Sequence, residues 1–430
     1  MSALAKPQPR GACPGLSAPM PTGDGLLVRF LPMGTISLSA MSGLCAAART
    51  HGNGIIEVTS RGSIQLRGLS ARSAPQCAAD IAALEIAGED GIPIHRSPLA
   101  GIGGDELLDI SAIAAELRLA LAKRSLAAQL NPKVSVTIDG SGALGLADLA
   151  ADIRLRAEIN NGEVQFRIGI GGDETTAVDL GAVRTADATA ATVRLLDVIA
   201  CRGRTMRARD ILLSEGAAAF HAALSSCPAL CRGFAQKAQT HVGDSTGGSY
   251  RLTDGSLACG IGLAFGHTDA DALEELIDCA RAANAQGVRT APGRTLLAIG
   301  VPPDSASDFF AAAGRLDFVV HPGDPRRRVT ACAGAPICAS AHIASRALAP
   351  GIAESLAKAG NASTVHISGC AKGCARAAPA NLTIVGTPTG CALIANGTPH
   401  DTPFAVVAEN ALPNAMTDYV RTRAHEAAHA

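Results

Sequence analysis

Hydrophobic and polar positions follow the same order twice along the chain. Residues 25–32 and 257–265 are apolar runs of strand length, and each precedes a longer segment, 37–69 or 269–301. Both longer segments begin with Ala- and Leu-rich positions at helical spacing, reach a glycine and continue as strand-like residues around an arginine. This order predicts an internal duplication.

The glycine and the arginine are equally spaced in the two longer segments. Gly54 precedes Arg61 by seven positions, and Gly287 precedes Arg294 by the same number. Identities between the segments are sparse, so it is this spacing and the order of the elements that indicate a duplication.

A second pair of similar segments follows in the same order. Residues 134–149 resemble residues 365–382 when Gly140 is aligned with Gly369. The chain then has the order A–B–A′–B′, which is typical of a duplicated α+β unit. Ala- and Leu-rich helices are predicted at 106–131, 186–224 and 340–360, and a polar, glycine-rich linker at 242–250.

Composition limits the class of protein. The 430 residues suggest about three domains, and a hydrophobic content of 47% is ample for large cores. Aromatic residues make up 3% of the chain, and Lys+Arg (37) balances Asp+Glu (38), which argues against a dedicated nucleic-acid binder. With no apolar run of transmembrane length and no signal-like pattern at the N-terminus, we expect a cytoplasmic protein without a membrane partner.

Four cysteines near the C-terminus carry the clearest chemical signal. Cys332 and Cys338 form a C-x5-C pair, and Cys370 and Cys374 form a C-x3-C pair. Four thiolates suit zinc or an iron–sulfur cluster, but structural zinc sites usually have shorter spacings within each pair. Glycines in both loops let backbone N–H groups approach cluster sulfurs. We therefore predict a [4Fe–4S] site in a redox enzyme.

The alignment of the two halves predicts that the chain has one such site. Ser141 lies opposite Cys370, and Gly145 lies opposite Cys374. The first half therefore lacks two of the ligands. The nine other cysteines are predicted to be mostly buried small hydrophobes: Cys13, Cys45, Cys77, Cys201, Cys227, Cys231, Cys259, Cys279 and Cys391.

Polar side chains alternate along one predicted strand. Arg61, Ser63, Gln65 and Arg67 share one face, and apolar residues occupy the other. Two guanidinium groups on such a face suit a carboxylate or phosphate ligand, whereas the alternative is a solvated sheet edge. Further basic candidates are Lys133, Arg289 and Arg294.

Three other motifs are weak. HEAAH at 425–429 matches a zinc-protease pattern but leaves no downstream residue for a third ligand. GSGALG at 140–145 matches a dinucleotide fingerprint, but the following residues suggest a loop and antiparallel strands instead of a helix. Cys227 and Cys231 form a C-x3-C pair without a partner pair nearby.

The cysteine spacings, the arginine strand and a proline segment together resemble the sulfite/nitrite reductase superfamily. Its cluster uses C-x5-C followed by C-x3-C. Its arginine strand, close to T-x-R-x-x-x-Q-x-R, is similar to residues 59–67, and its lysine region after a proline resembles residues 131–135. The resemblance covers nearly all of residues 23–400, and the cysteine motif is its most specific part.

This resemblance implies an α+β fold with the duplicated sulfite/nitrite-reductase-like architecture, in which two ferredoxin-like half-domains pair beside two α+β cluster-type domains. The expected divisions are a disordered lead-in at 1–22, ferredoxin-like half-domain 1 at 23–95, a cluster-type domain lacking cysteine ligands at 96–240, ferredoxin-like half-domain 2 at 241–305, and the [4Fe–4S]-binding domain at 306–430.

Within the superfamily, residues 95–110, 139–155 and 327–341 are most similar to the branch that oxidises a precorrin. This implies oxygen-dependent hydroxylation of precorrin-3A with closure of a γ-lactone, in cobalamin biosynthesis. The cluster would relay electrons from an external reductase, and the family also implies a mononuclear non-haem iron, whose ligands the sequence does not reveal. The expected binding residues for the tetrapyrrole are Arg61, Gln65, Arg67, Lys133, Arg289 and Arg294.

The sequence is also compatible with two rival functions. A sulfite or nitrite reductase would carry sirohaem as a cofactor, and such reductases usually have two lysines after the proline. Here Lys133 fits the first lysine, but Ser135 occupies the second position. Gly293 also stands where the precorrin-oxidising branch often has a tryptophan, which leaves the shape of that pocket undetermined. The other rival is a non-catalytic scaffold that holds zinc with the same four cysteines.

Overall fold

The computed structural model describes residues 14–86, 88, 91–225, 245–360, 362–376, 378–416 and 419. Within them the strands form four five-stranded sheets. The strands are β1 (Met20–Thr22), β2 (Gly25–Phe30), β3 (Ile36–Ser37), β4 (Ile55–Val58), β5 (Ile64–Leu69), β6 (Ile94–Arg96), β7 (Val136–Asp139), β8 (Ala151–Asn160), β9 (Glu163–Gly172), β10 (Val178–Arg184), β11 (Ser249–Arg251), β12 (Leu257–Gly262), β13 (His267–Asp269), β14 (Gly287–Ala291), β15 (Thr295–Val301), β16 (Val329–Ala331), β17 (Val365–Ser368), β18 (Ala380–Thr387), β19 (Gly390–Gly397) and β20 (Ala405–Val407).

Helices cover these sheets. The helices with described bounds are α1 (Leu38–His51), α2 (Ser73–Ala83), α3 (Ser111–Lys123), α4 (Ala188–Ala200), α5 (Ala208–Glu215), α6 (Ala218–Leu224), α7 (Ala270–Ala282), α8 (Ala306–Arg315) and α9 (Ser345–Lys358). In the part of the chain that the structure describes, no helix combines the length and the apolar character that a membrane span requires.

Two of the sheets exchange an edge strand between the halves of the chain. The first sheet has the order β1-β2-β5-β4-β13, and its counterpart has the order β11-β12-β15-β14-β3. Each exchanged strand leads directly into a helix whose N-terminus it caps. The Ser37 side chain accepts a hydrogen bond from the N–H of Ala40 at the start of α1, and Asp269 accepts one from Ala272 at the start of α7.

The exchange joins the two halves around one core. Helices α1 and α7 lie against each other, and their buried residues, among them Met41, Leu44 and Ile277, belong to a single hydrophobic cluster. Burial of apolar surface supplies most of the free energy that stabilises a fold. Because apolar residues of both halves share one cluster, neither of these sheets has a complete core of its own.

The other two sheets have identical topologies. In one, β6, β7 and β8 run parallel, and β9 and β10 extend the sheet antiparallel. In the other, β16, β17 and β18 run parallel, with β19 and β20 antiparallel. Helix α3 lies between β6 and β7, as α9 does between β16 and β17. The predicted order A–B–A′–B′ and the duplicated α+β fold are therefore confirmed.

The predicted helix boundaries were less accurate. The single helix expected at 186–224 is three helices, because Gly203 and Gly216 adopt positive φ angles of 91° and 73° between them. The helix expected at 106–131 is shorter, since α3 begins after Asp109, whose carboxylate accepts the N–H of Ser111, and ends before Ser125 at a φ of 49°.

Several other predictions can be compared with the structure. Strand β1 lies inside the segment expected to be a disordered lead-in, where it pairs with β2. The glycine pattern at 140–145 is a loop between β7 and β8, so the alternative of a dinucleotide site fails for lack of a following helix. The motif at 425–429, residues 242–244 of the predicted linker, and Cys13, Cys227 and Cys231 lie outside the described residues. The rest of the linker predicted at 242–250 is described, and strand β11 begins inside it at Ser249.

Candidate functional site

The polar face of β5 is buried, so it is not a solvated sheet edge. Gln65 and Arg67 are each 5% exposed. The Arg67 guanidinium donates to both carboxylate oxygens of Asp24, at 3.1 and 3.0 Å, and lies 3.6 Å from Glu57. Gln65 accepts a 2.6 Å hydrogen bond from Nε of Arg29 and donates to Glu57. These side chains therefore form a buried network in which acidic groups neutralise Arg67.

This network also reaches the cysteine-bearing domain. Arg346, at the start of α9, donates to Glu57, and Nη2 of Arg67 lies 3.4 Å from the carbonyl oxygen of Ile337, which is in the first cysteine loop. The structure thus places Gln65 and Arg67 in the contact between the first sheet and the cysteine loops.

Arg61 and Arg294 occupy equivalent places in the two halves. Nη2 of Arg61 donates to the carbonyl oxygen of Ala150 at 2.7 Å, and Nη2 of Arg294 donates to that of Ala375 at 3.2 Å. Each acceptor lies in the loop that follows the middle parallel strand of its α+β sheet. The turns that carry the two arginines also touch, because the N–H of Gly293 donates to Ser60 at 3.1 Å. Both arginines therefore lie at the junction of the halves.

Both guanidinium groups are largely buried, and the acidic groups near them, Asp152 for Arg61 and Glu57 for Arg294, offset the desolvation only in part. Burial lowers the pKa of Arg61, and the nearby Arg207 lowers it further. Burial lowers the pKa of Arg294 to about 10, with contributions from Arg376 and Arg346. Among the described residues, Nη1 of Arg61 has no hydrogen-bond partner. A desolvated cation of this kind favours an anionic ligand beside it.

Arg61 also lines a cavity between the two halves, with a volume of about 250 Å³. Its lining among the described residues contains three arginines and no acidic side chain. The lining residues are Leu31, Pro32, Gly34, Arg61, Gly62, Ile94, His95, Arg96, Ser97, Pro98, Ala100, Ser111, Arg289, Thr290 and Pro292.

The loop after β6 holds Arg289 at this cavity. Nη1 of Arg289 donates to the carbonyl oxygens of Pro98 and Ala100, at 3.1 and 3.0 Å, and Nε donates to Oγ1 of Thr35 at 2.8 Å. Burial lowers the pKa of Arg289 to about 10, and Arg96 adds to the effect. The guanidinium is therefore oriented by neutral acceptors, and the nearby carboxyl groups of Glu106 and Asp109 offset its desolvation only in part.

The lining of this cavity contains two residues that the sequence predicts for the site and two that it does not. Arg61 and Arg289 are predicted from the sequence, whereas His95 and Arg96 are not, although the segment that contains them contributes to the family resemblance. Nothing in their local pattern marks them, because they reach the cavity only when β6 pairs with β7. Lys133 is exposed, and it is absent from the lining.

The cysteine loops are tied together by backbone hydrogen bonds. The N–H of Gly369 donates to Sγ of Cys332 at 3.1 Å, and the N–H of His342 donates to the carbonyl oxygen of Gly369 at 2.7 Å. Burial raises the pKa of Cys370, and the neighbouring thiols of Cys338 and Cys332 raise it further. Three of the four predicted ligands are therefore near one another, and Cys374 lies at the exposed side.

The glycines of these loops allow the close approach. A Cβ atom on Gly334 would lie 2.3 Å from the backbone nitrogen of Ser345, and one on Gly369 would lie 2.7 Å from Cβ of Ala341. Side chains at these positions would push the loops apart. The arrangement fits a group that is held by several thiolates and by backbone N–H donors to sulfur.

A single metal ion has different requirements. Among the described residues, no group of three or more His, Cys, Asp or Glu side chains is placed to hold one ion. A single ion needs its ligand atoms about 2.0–2.3 Å away, whereas four irons at the corners of a cluster spread their thiolates more widely. Within the described part, the expected mononuclear iron therefore lacks a ligand set.

The remaining described cysteines largely follow the prediction of burial. Cys45, Cys77, Cys259 and Cys391 are buried, and Cys279 is half-buried. Cys201 is exposed at the end of α4, which corrects the prediction for that residue.

A buried polar group lies on the face of the cysteine-bearing sheet opposite α9. His366 is 0% exposed, and among the described residues neither ring nitrogen has a hydrogen-bond partner. Burial lowers its pKa to about 4, and the charges of Arg376 and Arg294 add to the effect. The histidine is therefore neutral at pH 7, beside two guanidinium groups.

Comparison with known proteins gives a consistent result. The nitrite/sulfite reductase ferredoxin-like half domain matches residues 18–84. A precorrin-3B synthase from Sinorhizobium sp is 40% identical over 411 residues, which cover 95% of this chain and 87% of that protein. Sulfite reductase [ferredoxin] 2 from Mycolicibacterium paratuberculosis is 26% identical over 147 residues, which cover 32% of this chain and 26% of that protein.

A solved structure agrees in fold. The NirA protein of Mycobacterium tuberculosis superposes with a TM-score of 0.74, over 92% of this chain and 80% of that chain, at 18% sequence identity. At this identity the superposition shows a common fold alone.

Proposed function

This chain belongs to the precorrin-3B synthase family of enzymes, within the sulfite/nitrite reductase superfamily, and we propose that it converts precorrin-3A into precorrin-3B in cobalamin biosynthesis. In the proposed reaction, O2 supplies the oxygen for hydroxylation of the macrocycle, and a peripheral acetate closes a γ-lactone. The same fold can serve this reaction because a precorrin and sirohaem are similar in size and in their many carboxylates.

The cavity with Arg61, Arg96 and Arg289 carries the proposal. Guanidinium groups bind carboxylates through charge-assisted hydrogen bonds. A volume of about 250 Å³ is below the usual range for a whole ligand. We therefore assign the cavity to one edge of the tetrapyrrole, where acetate and propionate arms carry the negative charge.

The four cysteines complete the proposed site. Cys332, Cys338, Cys370 and Cys374 would hold a [4Fe–4S] cluster, which supplies single electrons when it is bound. The N–H of Gly369, 3.1 Å from Sγ of Cys332, stabilises negative charge on that sulfur. We propose that an external reductase provides the electrons.

The protein itself orients and desolvates the substrate. Arg61 and Arg294, on touching turns, would hold anionic groups on the two sides of the junction between the halves. Their burial strengthens any ion pair, because neighbouring water no longer screens it. No step is assigned to a mononuclear iron, since the described residues contain no ligand set for one.

The proposal is tested on anaerobically purified protein. We expect iron and acid-labile sulfide in equal amounts, a brown colour and no sirohaem band. Addition of precorrin-3A, a reductase system and ¹⁸O2 should yield a labelled lactone product, detected by mass spectrometry. An intense sirohaem band in the resting protein would favour the reductase alternative, and stoichiometric zinc without iron would favour the scaffold alternative.

A further inference from the structure

The duplication extends to single hydrogen bonds at the cysteine site. In the second half, the N–H of Gly369 donates to Sγ of Cys332 at 3.1 Å. In the first half, the N–H of Gly140 donates to Oγ of Ser97 at 3.3 Å. Gly140 and Gly369 are the glycines that align the two halves. Ser97 therefore occupies the place of Cys332.

The backbone hydrogen bonds of Ser97 and Cys332 are equivalent as well. The N–H of Cys332 donates to the carbonyl oxygen of Ile367 at 3.1 Å, and the N–H of Ser97 donates to that of Ile138 at 3.2 Å. Each residue directly follows the first parallel strand of its sheet, β16 or β6. The first half thus keeps the framework of the cysteine site while its ligands are replaced.

One side chain fills the corresponding space. The Glu106 carboxylate accepts hydrogen bonds from the N–H of Gly101 at 2.8 Å and from Oγ of Ser97 at 3.3 Å. A Cβ atom on Gly142 would lie 2.9 Å from Cγ of Glu106, and one on Gly140 would lie 3.4 Å from Oε1. Glu106 therefore lies between the loop that begins at Ser97 and the loop that follows β7. In the second half, the equivalent loops face each other with cysteines.

This carboxylate is connected to the cavity through one loop. Residues 97–104 contact Glu106 through Ser97 and Gly101, and they contact Arg289 through the carbonyl oxygens of Pro98 and Ala100, at 3.1 and 3.0 Å. Along the loop, residues that bind Glu106 alternate with residues that bind Arg289. Both side chains therefore determine the conformation of the loop.

We propose that Glu106 replaces a metal cluster as the centre of the first half and positions Arg289, through residues 97–104, for a carboxylate of the substrate. The role of Arg289 toward the substrate rests on the proposed function, whereas the link from Glu106 to Arg289 rests on the hydrogen bonds alone. Glu106 touches no substrate, so it is a positioning residue.

The surroundings of Glu106 suit this role. Burial raises its pKa to about 7, and Asp109 raises it further, while the Gly101 and Ser97 hydrogen bonds and the charge of Arg289 lower it. An amide retains an oxygen that can accept the N–H of Gly101. Glu106→Gln should therefore preserve the loop, and Glu106→Ala should release it.

The first test needs no ligand. Hydrogen exchange, followed by mass spectrometry on the full-length protein, is compared for wild type, Glu106→Ala, Glu106→Gln and the control Glu116→Gln, whose side chain is exposed on α3. We expect residues 97–104 to lose protection in Glu106→Ala and to keep it in the other two variants. Arg289→Ala should also deprotect this loop, and unchanged exchange in both alanine variants would overturn the proposal.

The second test measures binding. Uroporphyrin III, an octacarboxylate tetrapyrrole, is titrated against the same variants, and we expect Glu106→Ala to weaken the affinity about tenfold, with Glu106→Gln within about twofold of wild type. In an Arg289→Ala background, Glu106→Ala should have no further effect. An equal loss in both backgrounds would overturn positioning through Arg289. If wild type does not bind the porphyrin, the proposed function loses support, and the exchange data alone decide the role of Glu106.

Discussion

At the scale of residues, Arg61 and Arg67, which belong to the same alternating sequence pattern, have different surroundings. Arg61 is desolvated beside a cavity with one guanidinium nitrogen unpartnered among the described residues, whereas Arg67 is neutralised by Asp24 and Glu57. The alternating pattern predicted both on one strand face, but Arg61 lies in the turn before β5 and only Arg67 is on the strand. Nor could the pattern show that acidic residues from β4 and from the turn before β2 would pair with Arg67.

This difference predicts opposite effects of two substitutions. Arg61→Ala should weaken uroporphyrin III binding by about 1.5–3 kcal/mol, through loss of a charge-assisted contact, with little change in stability. Arg67→Ala should lower the free energy of unfolding by about 3–5 kcal/mol, because it leaves buried carboxylates without their partner. Porphyrin titration measures the change in binding, and urea denaturation measures the change in stability. Equal losses of binding and of stability in the two variants would contradict the different roles of Arg61 and Arg67.

Buried histidines predict a loss of stability in acid. The folded protein holds the pKa of His366 at about 4, below its usual value of 6.5, so the contribution to stability is complete above pH 6.5 and is lost as the pH falls toward 4. Between pH 7.5 and 5 this residue should account for about 1–2 kcal/mol.

The comparison uses urea denaturation at the two pH values. His366→Gln should show a smaller difference between them than wild type, and the control His400→Gln, at an exposed position, should show the wild-type difference. Identical pH dependence in wild type and His366→Gln would rule out this contribution.

At the scale of elements, equivalent loops carry different chemistry on one framework. The loops after β16 and β17 provide the four cysteines, and the loops after β6 and β7 provide Ser97 and Ser141. The backbone hydrogen bonds are conserved between the halves, so the difference arises from side chains and not from topology.

The cysteine loops predict a clear result for ligand removal. Cys370→Ser or Cys374→Ser should abolish the iron–sulfur absorption and most of the bound iron, because a hydroxyl is a poor ligand for this cluster. The matched control is Cys391→Ser, since Cys391 is a buried cysteine on β19 of the same sheet and is not a predicted ligand. Normal iron content after Cys374→Ser would refute the ligand assignment.

At the scale of the whole molecule, the exchanged strands make the halves interdependent. Strand β13 completes the sheet of the first half and β3 that of the second, while α1 and α7 share one core. The cavity and the Arg61–Arg294 junction also lie where the halves meet, so the proposed site requires both.

Separation of the halves should therefore abolish folding. Residues 1–244 expressed alone should show weak hydrogen-exchange protection and form aggregates, because α1 loses its apolar partner α7. Co-expression with residues 245–430 should restore a 1:1 complex on size-exclusion chromatography. A cooperatively folded monomer of residues 1–244 would show that each half has a sufficient core.

Sequence by itself determined the duplication, the α+β class and the candidate ligands. These follow from periodicity and spacing, which are local: Gly54 to Arg61 repeats in Gly287 to Arg294, and the cysteine pairs stand out by their intervals. Helix boundaries do not follow from this pattern, since a single glycine such as Gly216, the C-cap of α5, ends a helix inside an apolar pattern.

Only the tertiary structure decided which polar groups are neutralised, which are desolvated and which meet. His95 and Arg96 reach the cavity through strand pairing, and Glu106 fills a space whose counterpart is lined by cysteines more than 200 positions away in the chain. Burial and charge compensation depend on neighbours from distant segments, and no local pattern contains that information.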